Sequence, residues 1–136
     1  MLVEDRIARW CLVAAIVLTL GYAFAFTLGL EGLAAKLSWP HALTVMLPKL
    51  GIAAGAMALG LALVLARGAD GQLPVFGMML SAALGLALYS WALVLGLVGG
   101  QMAEASDFMG MALGNTLLLL FVGAATWRLR GPILAP

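Results

Sequence analysis

The sequence predicts an all-α membrane protein with four transmembrane helices in a compact bundle, and three observations carry that expectation. Four apolar stretches, about residues 10–30, 48–66, 73–98 and 108–127, are each long enough, at about 1.5 Å per residue, to cross a hydrocarbon core about 30 Å thick. Every charged residue except Lys49 lies at the edge of one of these stretches or between two of them. Hydrophobic residues make up 65 % of the 136-residue chain and charged ones 10 %, where soluble domains average about 45–50 % and about 25 %.

The first stretch follows Arg6 and Arg9 and carries Ala23-Phe24-Ala25, a pattern that resembles a signal-peptide cleavage site. The apolar run is longer than a signal core, and the segment before it holds Glu4 and Asp5, so it reads as the first span. Residues 31–47 hold Trp39-Pro40 and then a short apolar run from His41 to Leu47. That run is too short to span. It suits either an interfacial or re-entrant helix or the first turns of span two. Pro48, Lys49 and the residues to Ala66 form span two, with proline suited to a first helical turn. Arg67-Gly68-Ala69-Asp70-Gly71-Gln72 is a tight turn, and Pro74 opens span three. A second short loop, 99–107, ends at Ser106 and Asp107, which are placed to cap span four and complement its dipole.

The spans leave only short loops and tails, so residues 1–136 read as one four-helix domain with no extramembrane domain. Arg6, Arg9, Arg67, Arg128 and Arg130 fall on the side of the N-terminus, and Lys36 and Lys49 on the other. That imbalance predicts a multi-pass protein of the inner (cytoplasmic) membrane with both termini cytoplasmic. Trp10 and Trp127 then sit at the inner interface and Trp39 at the outer one. A weak internal match, Tyr22 to Gly32 against Tyr89 to Gly99, raises the expectation of two tandem helical hairpins related by an axis along the membrane normal.

Two sets of residues are candidates for function. The first is a polar cluster at the outer mouth made of Lys49, His41, Glu104 and Asp107, with Glu31 near it. A cation inside a span is costly and often functional, although Lys49 is close enough to the surface to extend its ammonium to water and pair with an outer carboxylate. The second set is three glycine pairs at four-residue spacing: Gly51 and Gly55, Gly96 and Gly100, Gly110 and Gly114. Such pairs let helix backbones approach, either within one chain or against a partner helix. Deeper polar residues are few, and Asn115 is the one best placed for an interhelical hydrogen bond.

The exclusions are firmer than the assignments. Cys11 is the only cysteine and His41 the only histidine, which leaves no intrachain disulfide, no Cys-x-x-Cys motif and no bis-histidine haem. The expectation is therefore no catalytic set, no metal and no cofactor. A net charge of +1 gives no reason to expect nucleic acid. Size and helix count are shared with small multidrug transporters and small fluoride channels, but the resemblance stops there. The first span lacks the glutamate that the former family implies, and no polar pore track suggests the latter. The expected function is a non-catalytic structural or accessory subunit of a larger membrane complex, its partners being the lipid bilayer and other membrane subunits or a second copy of itself. The alternative is a small homodimeric transporter or channel with its mouth at Lys49, and a lipid-modifying enzyme is a third.

Overall fold

The computed structural model describes residues 3–29, 31–32, 41–97 and 105–134, with 41–46 and 105–107 described as backbone alone. The described residues are all-helical apart from turns and caps, and hold no strand. Helix α1 spans Arg6–Thr27, α2 His41–Arg67, α3 Leu73–Val94 and α4 Ala105–Arg128, followed by a single turn, α5, at Arg130–Ile133. Four of them are long and apolar enough to cross a membrane.

The helix ends follow local chemistry rather than the edges of the apolar runs. α1 starts a turn before Trp10 because Asp5 caps it: the Ala8 amide donates to Asp5 Oδ1 at 2.9 Å. α2 absorbs the segment 41–47, so Pro48 stands inside a 27-residue helix. Of the two readings of that segment, continuation of span two is the one adopted. At membrane depth backbone groups need intrahelical partners, and a proline removes only one such bond. Lys49 is thus the ninth residue of α2, about two turns inside the helix and away from its positive end. Asp107 likewise is the third residue of α4 rather than its cap, a position that still complements the dipole.

α3 ends earlier than its apolar run, at Val94. Gly96 takes φ +69°, its amide donates to Leu93 O at 3.1 Å, and the Leu97 amide donates to Ala92 O at 2.9 Å. This paired arrangement satisfies the last carbonyls of the helix and favours glycine, because an L side chain is strained at that φ.

Among the described residues, the extensive helix pairings are α1 with α2, α3 with α4, and α1 with α4. The sequence-adjacent α2 and α3 meet through side chains, with Met79 Cε 2.6 Å from where a Cβ at Gly60 would fall. The core contains Leu12 and Ala15 of α1, Leu61 and Val64 of α2, Phe76, Met79 and Ala83 of α3, and Leu118, Val122 and Ala125 of α4. Outward lie Val17, Leu20, Phe24, Leu59, Leu88, Leu113 and Leu120, all more than half exposed. A soluble protein would hide such side chains, whereas a lipid-facing surface requires them.

One end of the helices is closed by tertiary contacts. Arg128 meets Asp5 Oδ2 through Nη2 at 2.8 Å and Nε at 3.0 Å. The Gly71 amide in the α2–α3 turn donates to Pro132 O at 3.1 Å. The N-terminus, this turn and α5 therefore share one end, which also carries Trp10 and Trp127, both about 70 % exposed. The Arg130 guanidinium lies 4.4 Å from the Trp127 ring centre, a stacking distance for a cation on an aromatic face.

Candidate functional site

The polar chemistry of the described bundle concentrates in the half remote from the arginine end, along the α3–α4 seam. Asn115 of α4 is buried and donates from Nδ2 to Ser90 Oγ of α3 at 2.6 Å. Ser90 in turn donates to Leu86 O at 2.6 Å. One residue further along each helix, Trp91 Nε1 donates to Thr116 Oγ1 at 2.9 Å. The interhelical bond expected of Asn115 is present, and its partner is a serine that also bonds its own helix. In hydrocarbon such bonds hold two helices in register, because water is not there to compete.

Beside this seam a cavity of about 400 Å³ opens between α2, α3 and α4. Leu47, Lys49 and Leu50 form the α2 wall, Leu86, Tyr89, Ser90 and Leu93 the α3 wall, and Phe108, Met111 and Asn115 the α4 wall. It lies between two helices, α2 and α3, that are not extensively paired with each other among the described residues. Phe108 and Asn115 are seven residues apart on one helix, as are Leu93 and Leu86 on another, so the cavity runs about 10 Å along the bundle. The walls are apolar except for Lys49, Tyr89 and the Ser90–Asn115 pair. Lys49 is exposed and is the only charged lining residue among those described. It lies 18 residues from Arg67, or about 27 Å along α2, which puts it near the far edge of a hydrocarbon core about 30 Å thick.

Of the predicted mouth cluster, only Lys49 has a described side chain. The side chains of His41 and Asp107, and Glu104 altogether, lie outside the described residues. Glu31 is exposed. No group of three or more His, Cys, Asp or Glu side chains that could hold a metal occurs among the described residues.

The predicted glycine faces divide. Gly51 packs against α1, where a Cβ would fall 2.8 Å from Thr27 Cγ2 and 3.2 Å from Ala23 O. Gly55 approaches Ala23 Cβ at 3.7 Å. The place of a Gly114 Cβ is filled by the Tyr22 hydroxyl, and the Tyr22 ring stacks on Phe26 with centroids 5.6 Å apart. These three glycines serve contacts within the chain. Gly96 caps α3 and is on no helix face, while Gly100 lies outside the described residues. Gly110 is the helical one of the six left open, with nothing within 4 Å of its Cβ position among the described residues.

A further small-residue face was not singled out from the sequence. Gly77, Ser81 and Gly85 stand four residues apart on α3, all exposed. Nothing lies within 4 Å of a Cβ built at Gly77 or Gly85. The Ser81 hydroxyl donates to Gly77 O at 2.8 Å, so the stripe is shallow and nearly apolar. The spacing was visible, but a search for paired glycines passes over a serine between two of them. No family model, no curated protein and no solved structure matches the chain.

Proposed function

We propose that this chain is a non-catalytic structural or accessory subunit of a larger complex in the inner membrane, with α3 as its contact face for a partner helix. The observation that carries the reading is the open stripe Gly77–Ser81–Gly85. Lipid-facing helix surfaces are usually covered by bulky side chains, as α1 is by Val17, Leu20 and Phe24. A stripe of two glycines and a serine instead lets another backbone approach closely, and such close packing drives helix association where no hydrophobic effect separates helix from lipid. The arginines at the closed end favour both termini in the cytoplasm, with Trp10 and Trp127 as interfacial anchors at that level.

Cysteine cross-linking in native membranes tests this. With Cys11 replaced by serine, single cysteines at Gly77, Ser81 or Gly85 should form adducts with another chain, and cysteines at Val17 or Phe24 should not. Equal reactivity of both helices, or adducts from neither, overturns the α3 assignment.

A homodimeric transporter is the second reading, favoured by the cavity with Lys49 at its edge. The other half of the chain is filled by Leu61, Phe76, Met79, Leu118 and Val122, each at most 1 % exposed. Passage would therefore have to run between two copies, and solute uptake by the reconstituted protein would decide for it.

A further inference from the structure

The cavity beside Lys49 combines four properties that narrow its occupant. Its volume, about 400 Å³, falls in the range of ligand sites, about 300–1,000 Å³. A dry apolar cavity of about 150 Å³ already accepts a benzene, so this one has room for on the order of a dozen carbons. Its lining reaches about 10 Å along the helices, the direction in which lipid hydrocarbon chains run. The donors of the Ser90–Asn115 pair are committed: Asn115 donates to Ser90, and Ser90 to the Leu86 carbonyl. An apolar occupant therefore meets little competition from them.

The fourth property is Lys49, the only charged lining residue among those described. Lys49 sits on the α2 wall near the membrane edge, where its four-carbon stem can lie along Leu47 and Leu50 while the ammonium reaches the headgroup layer. An occupant complementary to this site is apolar over most of its length and anionic at one end. A helix from a second chain does not fit: a cylinder of about 10 Å diameter and about 10 Å length needs about 800 Å³, twice the space present. A small free anion would satisfy Lys49 but leave the apolar volume empty.

We propose that the cavity binds one acyl chain of a membrane phospholipid, with the lipid phosphate held by the Lys49 ammonium. The site rests on the membrane location of the chain and is independent of the α3 partner face, which lies on different residues.

The test is native mass spectrometry of the full chain in mild detergent, titrated with dioleoylphosphatidylglycerol. Dioleoylglycerol supplies the chains without the phosphate, and glycerol 3-phosphate the phosphate without the chains. One phosphatidylglycerol should be retained per chain, with each of the other two probes at least tenfold weaker. Lys49→Gln should lower phospholipid occupancy about fivefold or more, the scale of one surface cation on an anionic lipid, and Lys49→Arg should restore it. Met111→Trp fills the cavity and should abolish retention. Should it fail to fold, Leu50→Trp does the same from the opposite wall, with helicity by circular dichroism as the check. Phospholipid occupancy unchanged by Lys49→Gln, or by a folded cavity-filling variant, overturns the proposal. So does equal retention of dioleoylglycerol, which would mean that Lys49 contributes nothing.

Discussion

A glycine in a membrane helix can either admit a neighbour or expose bare backbone, and the two roles have opposite mutational signatures. Gly51 admits Thr27 and Ala23 of α1, so the methyl of Gly51→Ala has to displace backbone as well as side chain. We expect a loss of about 1–3 kcal/mol, the usual cost of overpacking. Gly110→Ala meets nothing and should be neutral or gain up to about 1 kcal/mol of helix propensity. Reversible unfolding in mixed micelles compares the pair, and equal effects would contradict the packing described. Asn115→Leu removes the bond to Ser90 without opening a void, and the cost should be about 0.6–2 kcal/mol, typical of a polar contact between membrane helices.

At the scale of the element, four spans were legible because length and hydropathy report directly on a slab of fixed thickness. The helix ends were not, since a span set by hydropathy says nothing of capping. Asp5 extends α1 beyond its apolar run, Gly96 stops α3 inside its own, and α2 runs through Pro48 because the apolar residues before it gain more from continuing the helix than one missing bond removes. Lys49 was legible as the one charge inside a span, but the cavity it lines could not be read from the sequence, because the Leu86 and Met111 walls are ordinary apolar residues until three helices are brought together. The α3 cap gives its own test. Gly96→Ala forces an alanine into the left-handed region, at roughly 1–2 kcal/mol, and hydrogen exchange should show faster opening of the last turn of α3 with α1 unchanged. Uniform protection in the variant would remove the cap from the account.

For the whole molecule, the contact between Asp5 and Arg128 joins the first and last spans. The amide of Ala8 is the main cause holding the Asp5 carboxyl below its ordinary value of 3.8, and burial opposes it; Arg128 lowers it further. A carboxyl whose value is lowered by folding stabilises the folded state in full above its unfolded value, and that contribution is lost as the pH falls through the lower folded one. The difference in thermal stability between wild type and Asp5→Asn should therefore be constant near neutrality, begin to shrink near about pH 4, the unfolded value, and vanish only once the pH is below the lower folded value. A difference that persisted undiminished in strong acid would assign it to something other than the carboxylate.

The central claim, that this small chain works as one part of a membrane assembly, is tested most directly by native mass spectrometry of the protein extracted gently from its own membrane. The account predicts a complex in which the chain is held with other membrane polypeptides, and predicts that Gly77→Leu together with Gly85→Leu releases it without loss of helicity. A chain that emerges alone, in mild detergent and in lipid nanodiscs alike, would contradict it.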